Sequence, residues 1–318
     1  MLSSILTYLP PLVLAIFEAR RGSQQTFFKF TQSGAWVENL AVRSNGDLLV
    51  TRFDAPELWS INTSTKEATK VVAFDGDLQT SGITEIADDV FAVITGNFSM
   101  ATGTTVGSWG VQKVDFTTGS NTPEVSTIKT MPEAEFLNGL TVLDEDTLLV
   151  GDMQRGLIYR LTISTGEYGI AVQDASMAPV ADAPIAAGVD GLRYHDGFVY
   201  FTNIFGKTLN RIPLDTTDKA TAGVVGSVWG LAEYSLGAIE NIWQGTSADD
   251  LTFGADGSMY VATNSDNGVV RITADGKRKE IASVTGSTSC VFGRTEADRD
   301  VLYVAGSDGA ITSIRISS

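Results

Sequence analysis

The chain contains a single cysteine and a single histidine, and their scarcity excludes several kinds of site. One thiol, Cys290, cannot form an internal disulfide or a cysteine-based zinc site, and its place in a predicted inner strand indicates a buried structural residue. His195 lies in the predicted turn Tyr194–Gly197, on the face away from the candidate site described below. Ser-His-Asp hydrolysis and histidine-based proton transfer are therefore disfavoured.

Positive charge is also scarce, since 22 lysines and arginines face 38 acidic residues and give a net charge of −16. This balance argues against nucleic acid and against anionic membrane surfaces as partners. The sequence has no P-loop, no G-x-G-x-x-G after a strand and no H-E-x-x-H. The remaining partner class is a small-molecule substrate, and the oligomeric state is not indicated.

Long apolar runs are absent except near the N-terminus. Ile5–Phe17 is too short to span a bilayer, and it lacks a basic flank and a good cleavage site. Residues 1–24 are therefore either an apolar arm or a weak signal-like segment, with the two interpretations nearly even. The sequons at Asn62 and Asn97 do not decide between a secretory and a cytoplasmic location.

The chain does contain a repeated unit of three short strands, seen most clearly in Asn138–Leu161. Alternating apolar and polar residues, broken by Asp and Gly turns, predict antiparallel strands. Six copies recur at roughly 40–60 residue spacing, which is typical of propeller blades. The copies begin at Glu38, Ser81, Asn138, Asp190, Asp249 and Ser289. The sequence thus predicts an all-β, six-bladed propeller over residues 25–318, in which the strand-like Gln25–Phe30 completes the last blade as its outermost member.

The residues that open these six copies form the first candidate site. In a propeller the innermost strands line the central channel, so these six side chains should converge at one mouth. Taken singly, each is a cap of its own strand. Taken as a ring of three carboxylates, one amide and two hydroxyls, they offer the oxygen ligands that Ca²⁺ or Mg²⁺ prefers, or a polar floor for a substrate.

The loops on the same face add a predicted apolar rim, suited to a small and largely apolar organic ligand. About half of its aromatic and Met residues are expected to pack in the core instead. The candidate substrate-binding residues are Trp36, Arg52, Phe53, Phe98, Phe205, Trp243 and Asn264. Further rim candidates are Met100, Phe136, Met153, Gln154 and Met177.

Five segments carry a resemblance to known proteins: WVENLAVRSNGDLLVT (36–51), GITEIADDVFAVITGNFS (82–99), FLNGLTVL (136–143), DGFVYFTN (196–203) and FGRTEADRDVLYV (292–304). Together they resemble the fungal branch of the senescence-marker-protein/gluconolactonase-like superfamily. The likeness covers roughly residues 25–316. It implies a six-bladed propeller, as in regucalcin-type lactonases, paraoxonases and strictosidine synthase, and it does not fix an activity.

The resemblance also implies a metal site. Glu, Asn and Asp hold a divalent cation on the channel axis of the metal-dependent relatives, and the matching positions here are Glu38, Asn138, Asp190 and Asp249. Asp190 stands where many fungal relatives look to have Asn. Paraoxonase-type enzymes use histidines at the mouth, and this chain has none there, which weakens that comparison.

The fungal branch further resembles the hetero-Diels–Alderases of tropolone–sesquiterpenoid biosynthesis. Such a pericyclic step needs orientation, a dry cavity and one or two hydrogen bonds, and it needs neither a nucleophile nor a cofactor. For this cyclase hypothesis the expected polar catalytic contacts are Asn138, Asp190 and Asn203. Two alternatives remain: a lactonase or related hydrolase dependent on Ca²⁺ or Mg²⁺, and a non-enzymatic ligand-binding propeller.

Overall fold

A computed structural model describes residues 24–119, 122–215 and 235–316. The described chain is all-β apart from one 3₁₀ turn at Ala175–Met177. The segment predicted as an N-terminal arm lies outside it, except Gln24, which begins β1. Among the described residues no helix is long and apolar enough to cross a membrane.

Six antiparallel sheets form the blades of the predicted propeller, each with its strands in order from the channel outwards. Blade one contains β2 (Val37–Val42), β3 (Leu48–Arg52), β4 (Glu57–Ile61) and β5 (Ala68–Ala73). Blade two contains β6 (Gln79–Ala87), β7 (Val90–Gly96), β10 (Gly110–Asp115) and β11 (Glu124–Thr130), with a hairpin of β8 (Phe98–Ser99) and β9 (Gly103–Thr104) inserted after β7. Blade three contains β12 (Leu137–Asp144), β13 (Thr147–Asp152), β14 (Leu157–Thr162) and β15 (Tyr168–Gln173).

The last three blades follow the same plan. Blade four contains β16 (Val189–His195), β17 (Phe198–Asn203), β18 (Thr208–Asp215) and β20 (Glu240–Gln244), with β19 (Ser235–Leu236) also paired to β18. Blade five contains β21 (Leu251–Phe253), β22 (Met259–Ala262), β23 (Gly268–Ile272) and β24 (Arg278–Ser283). Blade six contains β25 (Ser287–Phe292), β26 (Val301–Gly306), β27 (Ala310–Arg315) and β1 (Gln24–Lys29).

The N-terminal strand joins the last blade, as the sequence predicts. β1 pairs antiparallel with β27, and Thr26 lies opposite Thr312. Blade six also contacts blade one at the channel, where the Thr288 hydroxyl donates to the Val37 carbonyl at 2.8 Å. Both ends of the described chain are therefore held in one blade, and β1 covers the edge that β27 would otherwise expose.

Apolar side chains fill the spaces between neighbouring blades. Leu49 and Leu58 of blade one pack with Ile83, Phe91 and Val93 of blade two in one buried cluster. Strand alternation explains this arrangement, because successive residues point to opposite faces and each blade buries both faces against its neighbours. A rigid ring of blades results, and it fixes the positions of the inner strands.

Five of the inner strands are irregular near their starts, after the first ladder pair or, in blade two, after the second. The pairing jumps from Val37 to Leu40 in blade one and from Ser287 to Cys290 in blade six, with equivalent jumps in blades two, three and four. The two skipped residues are freed from the ladder. This register corrects one expectation: Thr288, and not Ser289, is the blade-six equivalent of Glu38.

Glycine follows the ring residue in blades two, three and four, and close packing explains why. A Cβ on Gly82 would lie 2.1 Å from the Asn138 carbonyl oxygen, and one on Gly139 would lie 2.0 Å from that of Asp190. Each glycine therefore lets the next inner strand approach. The ring can be tight on this side of the channel only because these positions carry no side chain.

The rare residues occupy the predicted places. Cys290 is buried in β25, and its Sγ lies 3.4 Å from the Tyr260 carbonyl oxygen. His195 ends β16, at the opposite end of that strand from Asp190, and its ring stacks on Phe253 with centroids 3.9 Å apart. The histidine is therefore remote from the channel mouth.

Candidate active site at the channel mouth

Glu38 is the best-connected member of the ring. Its Oε2 accepts a hydrogen bond from the Trp36 indole Nε1 at 2.7 Å, and its Oε1 accepts one from Asn138 Nδ2 at 2.9 Å. Glu38 and Asn138 are both buried, so these bonds replace contacts with water. Asn138 keeps its second amide hydrogen and its Oδ1 without a partner in the described chain, and both remain available to a ligand.

Asp190 and Asp249 complete the polar ring and are less well paired. The Asp249 Oδ2 accepts a hydrogen bond from Asn264 Nδ2 at 2.7 Å, so Asn264 lies beside this acid. The Asp190 side chain is 3% exposed, and its carboxyl group accepts no hydrogen bond from the residues that the structure describes. The ring therefore contains one buried carboxyl group whose oxygens remain available to a ligand.

Burial raises the pKa of all three acids of the ring. It raises the pKa of Glu38 to about 7, against the hydrogen bonds from Asn138 and Trp36 that favour the charged form. The pKa of Asp190 is raised well above its usual range by burial, and then by the nearby charges of Glu38 and Asp250. Burial, with Asp190 and Glu38, raises the pKa of Asp249 in the same way. The three carboxyl groups are thus close enough to oppose each other's ionisation.

A second polar layer lies one residue further along the inner strands. Asn39 Nδ2 donates to Asp250 Oδ2 at 3.1 Å, and the Ser289 hydroxyl contacts both of those side chains at 2.9 and 3.0 Å. Arg193 adds an ion pair to Asp250 at 3.3 Å. Asn39, Asp250 and Ser289 are buried. This layer lies next to the ring. Sequence reasoning missed Asn39 and Asp250, although each directly follows a predicted ring residue, and it also missed Arg193, which no such position indicates.

An arc of aromatic rings adjoins the polar ring. Trp36 contacts Phe53 with centroids 5.1 Å apart, and Phe53 contacts Phe98 at 5.7 Å. Phe98 stacks on Phe136 at 4.6 Å, and Phe136 stacks on Trp109 at 5.1 Å. Phe98 comes from the hairpin of β8 and β9, so the insertion in blade two supplies part of the arc.

The rings at the far end of this arc from Trp36 are part of the buried core. Phe136, Trp109 and Met153 are buried in one cluster, against which Phe53 and Phe205 pack while half-buried. The predicted contacts Trp36, Phe53, Phe98 and Phe205 are therefore brought to one side of the mouth. About half of the aromatic and Met rim candidates were expected to pack in the core. Met177 does so, in a different cluster.

The structure corrects the expected position of Trp243. This residue lies in β20, the outermost strand of blade four, where it faces Leu209 in the ladder. It packs against the cluster between blades four and five, and the Arg278 guanidinium lies 5.2 Å from its ring centroid. Trp243 is therefore at the periphery, because the long connection before it leads into an outer strand.

The polar groups of Asn203 and Arg52 are used internally. Asn203 Nδ2 donates to the carbonyls of Ser176 and Ala178, both at 3.0 Å, and its Oδ1 accepts from Gly206 N at 2.8 Å. Both amide hydrogens are consumed, so Asn203 positions loops and has no donor for a substrate. Arg52 is buried, forms a double contact with Asp54, and lies 4.3 Å from the Phe30 ring centroid. Its charge is already paired within the fold.

The donor set implied for a metal fits a hard cation in its chemistry, since it consists of three carboxylates and an amide. The geometry fits less well. In the described residues no group of three or more His, Cys, Asp or Glu side chains is arranged to hold a metal ion. Both oxygens of Glu38 already accept hydrogen bonds, and Asn138 turns an N–H toward Glu38. Metal binding by Glu38, Asn138, Asp190 and Asp249 stays a prediction.

Comparison with known proteins points to one group. Two curated proteins carry the name "putative hetero-Diels-Alderase". One, from a Phoma species, is 28% identical over 308 residues, covering 86% of this chain and 84% of the relative. The other, from Sarocladium schorii, is 27% identical over 305 residues, covering 86% and 76%. No protein-family model matches the chain. The chain thus resembles hetero-Diels–Alderases along most of its length, and these relatives support an enzymatic role.

Solved structures confirm the fold. A luciferin-regenerating enzyme matches with a TM-score of 0.64 at 13% identity, covering 93% of this chain and 98% of that one. A protein described as a "putative gluconolactonase" matches with a TM-score of 0.62 at 12% identity, covering 92% of each chain. Virginiamycin B lyase from Staphylococcus aureus matches with a TM-score of 0.58 at 13% identity, covering 93% and 99%. At these identities the likeness concerns the fold alone.

Proposed function

We propose that the channel mouth binds an apolar organic substrate and catalyses a hetero-Diels–Alder-type cyclisation by positioning and hydrogen bonding. One observation supports this most directly: Trp36 belongs to both halves of the site. Its ring begins the aromatic arc, and its N–H holds Glu38 in the polar ring. An apolar ligand on the arc therefore places its polar atoms against Asn138 and Asp190.

In this mechanism the aromatic arc of Trp36, Phe53 and Phe98 holds the two reacting π systems face to face and excludes water. Asn138 donates its remaining amide hydrogen to the oxygen of the electron-poor heterodiene, which lowers the energy of that partner's acceptor orbital. Glu38 orients the amide, and Asp190 contacts a second polar atom of the substrate. No covalent intermediate forms, and catalysis consists of orientation and electrostatic stabilisation.

The substrates that fit this proposal are a tropolone quinone methide, as the oxygen-bearing heterodiene, and a terpene alkene. Because such reagents also react without a catalyst, the assay measures rate and stereoisomer ratio above the uncatalysed background. We expect Asn138→Ala to lower kcat/KM about tenfold or more, as expected for a lost hydrogen bond in a dry site. Its melting temperature should fall modestly, because Glu38 loses one of its two buried hydrogen bonds.

Asn210→Ala is the matched control for this experiment. Asn210 is a buried asparagine of β18 that donates to Thr208 Oγ1 at 2.9 Å, away from the channel. Its loss should leave the activity of the folded enzyme unchanged. If Asn138→Ala cyclises as well as the wild type, or loses activity only in proportion to lost folded protein, the assignment of Asn138 is wrong.

A second candidate, a hydrolase dependent on Ca²⁺ or Mg²⁺, is favoured by the oxygen donors of Glu38, Asn138, Asp190 and Asp249. When bound, the cation would polarise a lactone carbonyl. Metal analysis with thermal melting, before and after chelation, separates the two candidates. The cyclase proposal expects full cyclisation in chelator and no fall in melting temperature. A stoichiometric cation whose removal lowers the melting temperature and abolishes lactone hydrolysis would favour the hydrolase.

A further inference from the structure

Buried polar atoms without a hydrogen-bond partner are concentrated at the mouth ends of blades one and two. In the part of the chain that the structure describes, four fully buried side-chain atoms have no hydrogen-bond partner. They are Arg52 Nη1, both polar atoms of Gln79 and the Oδ1 of Asn97. Buried polar atoms in folded proteins are nearly always paired, so such a concentration calls for a physical reason.

Backbone pairing places these residues together. Gln79 begins β6 and pairs with Gly96, the neighbour of Asn97. The next residue, Thr80, accepts a hydrogen bond from the backbone N–H of Arg52 at 2.7 Å. All four atoms therefore come from one short stretch of the mouth, beside the aromatic arc that Phe53 and Phe98 form.

Gln79 occupies a position that carries a site residue in two other blades. It lies two residues before ring residue Ser81, as Trp36 does before Glu38 and Phe136 before Asn138. Residues i and i+2 of a strand lie on the same side, and the Trp36–Glu38 hydrogen bond shows this directly. The Gln79 side chain therefore lies on the same side of β6 as Ser81, in the place that Trp36 takes in blade one, and it is buried there.

We infer that Gln79 is a specificity-determining residue, whose amide binds a ligand edge with a hydrogen-bond acceptor and a donor on adjacent atoms. A primary amide offers one acceptor and two donors on one small group. Its natural complement is an α-hydroxyketone or an enolised diketone. Because no hydrogen bond holds this amide in the described structure, pairing with such a ligand breaks none. The inference rests on the proposed use of the mouth as a binding site.

The test uses two probes that differ in one hydroxyl group. Tropolone has a carbonyl beside a hydroxyl, whereas tropone has the carbonyl alone. Binding to the full chain is measured by calorimetry, with tryptophan fluorescence as a second readout since Trp36 and Trp109 lie in the arc. We expect the wild type to bind tropolone about tenfold tighter than tropone. Gln79→Met should bring this ratio to about one.

Stability provides the readout that separates recognition from structure. Gln79→Met fills the same volume and removes an unpaired buried amide, so the melting temperature should stay the same or rise. Gln112→Met is the control, because the Gln112 amide is already bonded to Thr95 and Thr127. Its melting temperature should fall while the tropolone-to-tropone ratio persists.

Three results would overturn the inference. One is a wild-type protein that does not prefer tropolone. Another is a Gln79→Met protein that keeps the preference. The third is a lower melting temperature in Gln79→Met, which would mean that a buried water already pairs the amide for structural reasons. These results are independent of turnover: loss of the preference in Gln79→Met together with full activity in Asn138→Ala would retain Gln79 as a binding residue and reject the proposed catalysis.

Discussion

The indole nitrogen of Trp36 lies 2.7 Å from Oε2 of Glu38, two residues further along the chain. This contact crosses the boundary between the aromatic arc and the acidic ring, because the same indole ring packs on Phe53. The opposite oxygen of Glu38 holds Asn138 of blade three. A chain of contacts thus links blades one and three at the mouth through one buried carboxyl group.

Trp36→Phe tests this link, since it keeps an aromatic ring and removes the N–H. We expect kcat/KM for cyclisation to fall about tenfold, because Glu38 loses one of the two groups that hold it and Asn138 loses its orientation. Steady-state kinetics on the folded protein measures the effect. Trp59→Phe is a close control, since the Trp59 indole donates to Glu57 Oε2 at 2.8 Å in β4, outside the channel. Equal losses in both variants would contradict the proposed link.

Stability should depend on pH through Glu38. The ordinary pKa of its carboxyl is 4.5, and in the fold it is about 7. Between these values the folded protein binds more protons than the unfolded chain, so stability should fall as pH rises from about 4.5 to about 7. The raised pKa values of Asp190 and Asp249 act in the same direction. Melting temperatures in chelator-containing buffers across this range measure the slope.

Glu38→Gln should reduce this pH dependence, because an amide does not titrate, and should leave the part that comes from Asp190 and Asp249. Glu133→Gln serves as the control: the hydrogen bond from Tyr168 lowers the pKa of Glu133, so its contribution to stability is lost only in acid below its ordinary pKa of 4.5. A wild-type melting temperature that rises steadily from pH 5 to pH 7.5 would show that the channel acids ionise freely.

Much of this architecture was accessible from the sequence. The six openings of the repeat located the inner strands, and they brought Glu38, Asn138, Asp190 and Asp249 to one mouth. Gln25–Phe30 was recognisable as the closing strand because the last copy had only three strands of its own. Period-2 patterns and turns are local signals, and a propeller repeats them, so each blade supports the interpretation of the others.

Other features depend on contacts that no local pattern carries. The bulge shifts the blade-six ring position from Ser289 to Thr288, which only the pairing reveals. Asn203 resembles a mouth ligand until its partners on the 3₁₀ turn are known. Gln79 resembles any strand glutamine, and its importance lies in partners that are missing. Trp243 was misplaced because the path of its long connection was not predictable.

Asn203 should matter for stability and not for turnover. Asn203→Ala leaves the carbonyls of Ser176 and Ala178 and the N–H of Gly206 without their buried partner. We expect a loss of about 1–3 kcal/mol in the free energy of unfolding. Chemical denaturation measures this loss, and kcat of the folded enzyme should stay within about twofold of the wild type. A large fall in kcat with unchanged stability would instead restore Asn203 as a substrate contact.

Gly139→Ala tests whether the ring needs its close strand packing. A Cβ at this position would lie 2.0 Å from the backbone oxygen of Asp190, and backbone cannot move aside as a flexible side chain does. We expect a destabilisation of about 1–3 kcal/mol or more, together with reduced cyclisation, because Asp190 is displaced from the ring.

Gly151→Ala, on the neighbouring strand β13, is the control, since its added Cβ would meet Leu192 at an ordinary 3.4 Å. A restricted unfolded chain should leave that variant equally stable or slightly more stable. If Gly139→Ala matched Gly151→Ala in both unfolding free energy and activity, the inner strands would have room to separate, and the geometry of the acidic ring would not depend on their contact.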